Sequence, residues 1–561
     1  MPLLYWLDMD EQRYLGPLYA LLYALAALAV AGFLSARANR RLSSRWGTLA
    51  FFGVAALALL AGRWPSFFVR EELNIDEAGM LALANQMIHF PVPWVDYDPQ
   101  TVGPLDALVL NAPRLLGITP GWISTRIVAI GVWLVATGGL YAATALLFEA
   151  RVARLAVVPA VLFFATVYER DFLHYSSELL PAALTAWAVY FLLRAARDLS
   201  AGPIAACALL AGALTFAKLQ AAPIAAALFV LLVLTVAGWG AVPLRLRARR
   251  LLLALGMTAV VPALVLVPVA VHAALRDVWI SYILSGINYI WNDYLPPSFV
   301  LGETEFGPLF DGSALVALQA VWLSAFAWRR SGGVRRLAPF VLGSVLVAAL
   351  VAIYVPKHGS AHYLLLAAFP VASCAALALG LAEGRVAGIT AAPRRAAATA
   401  LLAVLFLAAT CAALPWLPRN SPYVGWLSTE VERPLDPTAA ALDYWVGSGK
   451  RVAIWGWAPN QWVHSQTLMG TRDLLCEHQI DPGPYRTYFR QRYLADFIAA
   501  KPDGFLDAVT PDSFGFYDQK KDGFESFPAL AAAVGRDYEL VAVIGKGFRV
   551  YLRRDVVPRS P

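Results

Sequence analysis

The chain has 561 residues, of which 59% are hydrophobic and only 15% are charged, against about 25% charged in a typical soluble domain. A soluble chain of this length would fold into domains with polar surfaces, so the composition excludes a cytosolic enzyme, a disordered chain and a nucleic-acid-binding module. The net charge of +7 fits Arg-rich cytoplasmic loops, and four Cys are too few for a disulfide framework.

Apolar segments long enough to cross a bilayer, which needs roughly 20 residues per helix, recur along the chain. We predict an α-helical polytopic membrane protein with about 12 transmembrane helices, some of them short. Their approximate bounds are 15–35, 47–63, 123–148, 154–168, 178–194, 202–217, 221–239, 251–272, 312–328, 338–355, 362–382 and 397–414.

The distribution of Arg predicts the direction of these spans. Arg residues concentrate in alternate connections, whereas the opposite short connections have mainly Arg170, Lys218, Arg276 and Lys357. Because basic loops stay in the cytoplasm, we expect an inner (plasma) membrane protein with both termini on the extracytoplasmic side. The leader before the first span is acidic, which predicts an anchor and not a cleaved signal peptide.

Three segments on the outer side, 64–121, 273–311 and 415–561, are too polar to span. The last regains Asp, Lys, Pro and Gly, and its patterns predict strands, a hairpin and two helices. We therefore predict two domains, a transmembrane domain over 1–414 and a small extracytoplasmic α/β domain over 415–561. The predicted elements of the tail are strands at 454–457 and 505–509, a hairpin at 538–552 and helices at 488–500 and 528–534.

The first outer loop has two adjacent carboxylates, Asp76 and Glu77, at the start of an amphipathic stretch that continues to Phe90. Apolar residues recur there at helical spacing, which predicts a helix lying in the membrane interface. The pair has two interpretations. Acidic residues favour helix N-termini, and carboxylates at the mouth of an apolar bundle are typical of function.

Further along the same loop, Trp94, Tyr97 and Asp98 lie in an irregular segment that ends in Gly103-Pro104-Leu105. Carboxylates and aromatic rings suit sugar binding, so Trp94 and Asp98 are candidate substrate-binding residues. The same residues are also compatible with an interfacial aromatic belt.

Polar groups recur at the outer ends of several predicted spans. Glu178 could be a helix cap, Lys218 and Lys357 could extend to the interface, and His362 with Tyr363 could be interfacial. Together they indicate function, because charges near hydrocarbon are costly and tend to face a cavity.

Glycosyl transfer from a lipid phosphate fits such residues on the outside of a membrane. An acceptor hydroxyl needs a general base, which a carboxylate supplies, and the leaving phosphate needs cations, which Lys and Arg supply. No nucleotide sugar is available outside the plasma membrane, so the donor must be lipid-linked. This reaction requires no cofactor. A divalent metal could bind His358 and His362, which have an i, i+4 spacing.

The sequence resembles the GT-C superfamily of polytopic glycosyltransferases, and most of all the branch of the aminoarabinose transferases and protein O-mannosyltransferases. Asp76-Glu77 matches the acidic pair that contains the family's catalytic Asp, and Pro104-Leu105 matches the segment that closes the loop. Glu178 resembles the family's second acidic position, which is usually Asp. Lys218 resembles a basic residue at the equivalent helix end. The segment before the family's penultimate core helix is similar to His362-Tyr363-Leu364-Leu365.

One departure bears on the donor. The aminoarabinose branch has a Lys just before the Pro-Leu segment, where this chain has Thr101, Val102 and Gly103. Lys218, Lys357 or Arg126 would therefore have to contact the donor phosphate, and aminoarabinose is not assigned as the sugar.

The resemblance implies an inverting transferase in which Asp76 deprotonates the acceptor hydroxyl. Glu77 and Glu178 would orient the base or bind hydroxyls, while Lys218, Lys357 and His362 would hold the departing phosphate of a polyprenyl-phosphate-linked donor. We expect a monomer, with a glycan, lipid or protein as acceptor.

Two alternatives stay open. A transporter or lipid/glycan flippase would have functional charges near the bilayer midplane, whereas here they lie at the outer ends of the predicted spans. Many transporters also contain internal repeats, and this sequence has none. A binding or assembly protein would depend on 415–561 and not on Asp76.

Overall fold

The computed structural model describes two compact units. The described residues are 45–63, 66–67, 69, 71–167, 170–238, 242–292, 307–329, 333–356, 360–387, 436–511, 513–545 and 547–556. The first unit takes its residues from Met1–Phe68, Ala129–Pro262 and Asp293–Thr429, and the second takes its residues from Val69–Val128, Ala263–Asn292 and Glu430–Pro561.

Helices dominate the chain as far as residue 387. In chain order they are α1 (Arg45–Arg63), α2 (Ile75–His89), α3 (Pro104–Leu110), α4 (Trp122–Leu147), α5 (Ala150–Thr166), α6 (Arg170–Leu173), α7 (Leu179–Asp198), α8 (Ala201–Ala217), α9 (Ala222–Gly238), α10 (Leu244–Val271), α11 (Leu275–Asp277), α12 (Ser285–Asn292), α13 (Gly307–Ala327), α14 (Val334–Tyr354) and α15 (Leu365–Ala387). A π-helix (Val278–Leu284) precedes α12, and short 3-10 helices occupy Ala112–Leu116, Leu219–Ala221 and Ala361–Leu364.

The helices confirm the prediction of a polytopic α-helical membrane fold. Within the described residues, seven helices are long and apolar enough to cross a bilayer, and α8 and Ala314–Ala327 are shorter apolar helices. Every predicted span from 47–63 to 362–382 overlaps one of the helices α1, α4, α5, α7, α8, α9, α10, α13, α14 or α15. The predicted spans 15–35 and 397–414 lie outside the described residues, so the number 12 stays a prediction.

The helices of the first unit pack closely through small and aromatic residues. A Cβ on Gly62 of α1 would collide with the carbonyl of Ala165 on α5, so a Gly at this position allows the two backbones to approach, as is usual between membrane helices. On α4, Trp133 stacks on Phe164 with the ring centroids 4.4 Å apart. Its Nε1 donates to the carbonyl of Ala160 at 3.0 Å, which satisfies the buried indole.

The second unit is built on a five-stranded sheet in the order β2-β1-β3-β5-β4. Strands β1 (Arg451–Trp455), β2 (Leu468–Met469) and β3 (Gly504–Asp507) are parallel. The hairpin of β4 (Tyr538–Ile544) and β5 (Phe548–Arg553) adds to β3 in antiparallel fashion. The accompanying helices are α16 (Pro437–Trp445), α17 (Asn460–Ser465), α18 (Glu477–Ile480), α19 (Arg486–Ala500), α20 (Gln519–Asp522) and α21 (Pro528–Asp537), with a 3-10 turn at Phe524–Ser526.

This sheet confirms the prediction of a C-terminal α/β region, including both central strands, the hairpin and the two helices. The two-residue strand β2 was not predicted, because two residues carry no periodic signal. The turn of the hairpin has Gly545 and Gly547 at φ values of 57° and 132°, backbone conformations that favour Gly.

Both faces of the central strand β1 are buried. Alternate residues of β1 point to opposite sides, so Val452 and Ile454 enter one core and Ala453 and Trp455 enter the other. On the first side they meet Ala82, Leu83, Tyr97, Ala107, Leu442 and Trp462. On the second side they meet residues of α19 and α21, among them Tyr493, Phe497, Leu530 and Val534.

Helix α2 therefore belongs to the core of the second unit, and the prediction that it lies in the membrane interface is wrong. Its residues 77–84 are buried in one unbroken run, which leaves no wide polar face. At Gly79, a Cβ would lie 3.3 Å from Cδ2 of Leu474, so the absent side chain admits a tail residue against the helix. Gln86 Oε1 accepts a hydrogen bond from the backbone N–H of Met469 at 3.0 Å and so serves the edge strand β2.

The second unit is larger than the predicted domain 415–561. It takes in 69–128 and 263–292 as well as the tail, segments that the sequence placed with the transmembrane domain. The predicted boundary at 414 and 415 lies outside the described residues and stays a prediction.

Candidate active site

The acidic pair of the first outer loop occupies the first turn of α2, where the two side chains have different surroundings. The side chain of Asn74 accepts a hydrogen bond from the backbone N–H of Asp76 at 2.9 Å and caps the helix. Asp76 is exposed, whereas Glu77 is 1% exposed. Of the two carboxylates, that of Asp76 is the one accessible to solvent.

Glu77 forms a buried bidentate ion pair with Arg126. Arg126 Nε lies 2.7 Å from Glu77 Oε1, and Nη2 lies 2.8 Å from Oε2. The same guanidinium donates to the carbonyls of Val69 and Glu71, each at 2.7 Å, and the backbone N–H of Leu73 donates to Glu77 Oε2 at 2.8 Å. The pair therefore fixes the chain before α2 to the start of α4.

Trp94 and Asp98, the predicted sugar-binding residues, are both buried in the second unit, with 0% and 1% exposure. The Trp94 ring meets that of Tyr282 edge-on at 5.2 Å. Asp98 accepts from Ser281 Oγ and, at 2.6 Å, from Nη2 of Arg492. In these positions the two residues join the first outer loop to the segment 263–292 and to the tail.

Arg492 also pairs with Asp473, so one guanidinium serves two buried carboxylates. Burial raises the pKa of Asp473 to about 6; Arg492 opposes this rise and Asp98 adds to it. Nearby, Arg472 donates to the carbonyl of Trp94 at 2.7 Å. Arg492 and Asp473 could not be predicted from the sequence, because only the folded chain brings them to the loop.

In the first unit, four predicted residues come together beside the N-terminus of α7. Glu178 is the N-cap residue of α7 and is completely buried. It pairs with Lys218, the C-cap residue of α8. Lys218 Nζ also donates to Ser177 Oγ at 2.7 Å and lies 5.0 Å from the ring centroid of Tyr363.

His362 extends this group to a second carboxylate. Its Nδ1 lies 3.0 Å from Asp171 Oδ2, and its backbone N–H donates to the same oxygen at 3.3 Å. Its Nε2 lies 3.8 Å from Glu178 Oε1. Burial alone would raise the pKa of Asp171, but the hydrogen bonds and charge of His362 outweigh it and hold that pKa below its usual range.

We call this group the lysine cluster: Asp171, Ser177, Glu178, Lys218, His362 and Tyr363. Four of the six were predicted from the sequence, and Asp171 and Ser177 were not. Asp171 lies beside an apolar segment, so the rule that charges near hydrocarbon indicate function could have found it. The hydroxyl of Ser177 carries no comparable signal.

Two residues of the predicted site, Lys357 and His358, lie outside the described residues. Across the described ranges, no group of three or more His, Cys, Asp and Glu side chains is placed to hold a metal ion. Asp76, Glu77, Arg126, Trp94 and Asp98 belong to the second unit, and the lysine cluster belongs to the first.

Comparison with known proteins identifies the fold. No family model matches the sequence, and no curated protein matches it. Among solved structures, the chain is similar to the aminoarabinose transferase ArnT from Cupriavidus metallidurans bound to undecaprenyl phosphate. The TM-score is 0.54 at 16% identity, over 92% of this chain and 100% of that one.

The apo structure of the same transferase gives a TM-score of 0.51 at 17% identity, covering 92% of this chain and 99% of that one. An Archaeoglobus fulgidus oligosaccharyltransferase, solved with Zn and sulfate, gives 0.46 at 14% identity over 90% and 73%. The two transferase structures confirm the fold that the resemblance to GT-C proteins predicted from the sequence.

Proposed function

We propose that this protein is a multi-pass membrane glycosyltransferase that moves a sugar from a polyprenyl-phosphate-linked donor to an acceptor hydroxyl, with inversion. The observation that carries the proposal is a buried Lys218 among apolar helices, in a chain with the fold of a transferase solved with undecaprenyl phosphate. A buried ammonium near hydrocarbon is costly and is retained where it binds an anion or does chemistry.

In the proposed reaction Asp76 is the general base. Its carboxylate is exposed and accepts the proton of the acceptor hydroxyl. The freed oxygen forms a bond to the anomeric carbon, and the bond from that carbon to the phosphate oxygen breaks. The polyprenyl phosphate leaves with the bonding electron pair, and Lys218 stabilises its charge. No redox partner or nucleotide is needed.

We propose supporting roles for the other predicted residues. Glu77 and Arg126 hold the start of α2 through their buried ion pair, so Arg126 positions the base and does not contact the phosphate. Trp94 and Asp98 anchor the loop within the second unit. For Glu178, which the sequence predicted to orient the base or bind hydroxyls, we propose a role beside the phosphate site, because it pairs with Lys218.

We further propose that the reaction takes place on the extracytoplasmic side, with both termini on that side. The support is the distribution of Arg between alternate connections. The acceptor is a glycan, a lipid or a protein, and the protein acts as a monomer.

Replacing Lys218 with Met is expected to weaken the binding of undecaprenyl phosphate about ten- to a hundredfold. A hydrogen bond to a charged group contributes about 1.5–3 kcal/mol, and each 1.4 kcal/mol is about tenfold in affinity. Binding is measured on the purified protein in lipid nanodiscs. Lys520→Met, at an exposed position in the tail, is the control. If the two variants bind undecaprenyl phosphate equally well, Lys218 does not belong to the phosphate site.

Deletion of the gene in its native host tests the function itself. Lipid extracts are expected to accumulate one polyprenyl-phosphate-linked sugar, while one surface glycan, lipoglycan or protein loses that sugar. Unchanged lipid-linked sugars in the deletion strain would overturn the proposal.

A further inference from the structure

The ammonium of Lys218 has hydrogen-bond partners within the protein. A Lys has three N–H donors, of which one goes to the carboxylate of Glu178 and one to Ser177 Oγ. The Tyr363 ring lies beside the same nitrogen, and Lys218 as a whole is only 6% exposed. A phosphate that approaches Lys218 therefore meets an ammonium that is already neutralised.

Glu178 and a phosphate cannot both bind this ammonium without repelling each other. Two like charges at such short range repel each other strongly inside a protein, and a buried carboxylate without a partner is costly. Since Glu178 is completely buried, it stays paired with Lys218 unless another anion binds there. Its negative charge weakens the binding of any anion that replaces it.

Ser176 Oγ donates a hydrogen bond to Glu178 Oε2, and His362 offers Glu178 a second cationic partner besides Lys218. Its Nδ1 is held by Asp171, and its Nε2 lies 3.8 Å from Glu178 Oε1, about 1 Å longer than a typical hydrogen bond. A protonated imidazole donates at both nitrogens. A small rotation of the Glu178 side chain toward His362 would therefore free Lys218 and keep the carboxylate paired.

We propose that Glu178 is an internal competitor for the lipid phosphate. It holds Lys218 in the empty protein and moves to His362 when the donor phosphate binds. After transfer it returns to Lys218 and displaces the polyprenyl phosphate product. This inference rests on the proposed function and adds to it a device that prevents the enzyme from retaining its own product.

The competition predicts an effect opposite to that of an ordinary binding residue. Glu178→Gln keeps the shape and the hydrogen-bond acceptor and removes the charge that repels the phosphate. Undecaprenyl phosphate should therefore bind at least about tenfold more tightly than to the wild type, a gain of about 1.4 kcal/mol. Glu178→Thr, a smaller neutral replacement, should shift the affinity in the same direction. Glu178→Asp keeps the charge and should stay within about threefold of the wild type.

The experiment measures binding of undecaprenyl phosphate to the full-length variants in nanodiscs, with uncharged undecaprenol as the second probe. Undecaprenol binding should not change, because it has no phosphate. The protein control is Asp198→Asn, at the far end of α7 in a half-exposed pair with Arg194, which should bind like the wild type. Thermal unfolding of each variant checks that it is folded.

Weaker or unchanged phosphate binding by folded Glu178→Gln and Glu178→Thr would overturn the inference, as would equal tightening by Glu178→Asp. If Lys218→Met still weakens phosphate binding, the proposal that Lys218 binds the phosphate survives either of these results. If Lys218→Met has no effect, the phosphate site of the proposed function fails as well.

Discussion

Asp76→Asn is expected to lower the rate of sugar transfer at least about a hundredfold, the usual scale for a lost general base. Asn keeps the size of the side chain but cannot accept the proton of the acceptor hydroxyl at neutral pH. The side chain is exposed, so the protein should fold normally and bind undecaprenyl phosphate as the wild type does. The loss should therefore appear in turnover and not in the affinity for the donor.

Asp443→Asn is the matched control for this variant, because it removes an exposed carboxylate from α16 of the same unit and should leave transfer unchanged. Asp76→Glu tests geometry, since it keeps a carboxylate but moves it by one methylene. Its rate should lie between those of the wild type and Asp76→Asn. Transfer by Asp76→Asn within a few-fold of the wild type would show that another group is the base.

Glu77→Gln, at the neighbouring position, is expected to act on stability. It leaves the guanidinium of Arg126 buried at 1% exposure without its charged partner, and breaking a buried pair costs about 3–5 kcal/mol. The midpoint of thermal unfolding in detergent should fall clearly, and activity should be lost at lower temperature than in the wild type. Arg536→Met breaks an exposed pair and should leave the midpoint unchanged.

A double variant separates the pair from its surroundings. Arg126→Met should be destabilising like Glu77→Gln, and the combination should cost less than the sum of the two, because no buried charge is then left alone. Some cost should persist, since the carbonyls of Val69 and Glu71 lose their donor. If Glu77→Gln lowers turnover without lowering the unfolding midpoint, Glu77 has a chemical role and our assignment of the two carboxylates is wrong.

The membrane helices could be predicted because the signal is local and strong. A run of about 20 apolar residues is visible in any window of the sequence, and the predicted spans within the described residues coincide with helices. The hairpin of the tail was equally local, since two β-rich runs flank a turn that contains two Gly.

The position of α2 could not be predicted, because its partners are remote in sequence. Gln86 and Met469, which share a hydrogen bond, are separated by 383 residues. No window of the sequence contains both, so the apolar residues of α2 suggested a membrane surface when they in fact cover a sheet. The same limit hid Arg492, which reaches Asp98 across 394 residues.

The candidate site falls between these cases. A rule about charges near hydrocarbon identified Glu178, Lys218 and His362 from the sequence, and the structure brings them together. The same rule did not predict which of these residues form ion pairs with each other. The pairing of Glu178 with Lys218, and of Glu77 with Arg126, depends on the packing of helices and loops and is seen only in the folded chain.

Reconstitution tests the central claim most directly. The purified protein in nanodiscs is supplied with the lipid-linked sugar that accumulates in the deletion strain and with an acceptor extract from the same strain. We expect one molecule of polyprenyl phosphate to be released for each sugar transferred, and both products to form at least about a hundredfold more slowly with Asp76→Asn. If the lipid-linked sugar stays intact with the wild-type protein, or crosses the bilayer of a vesicle unchanged, the protein is not a transferase and a flippase explains it better.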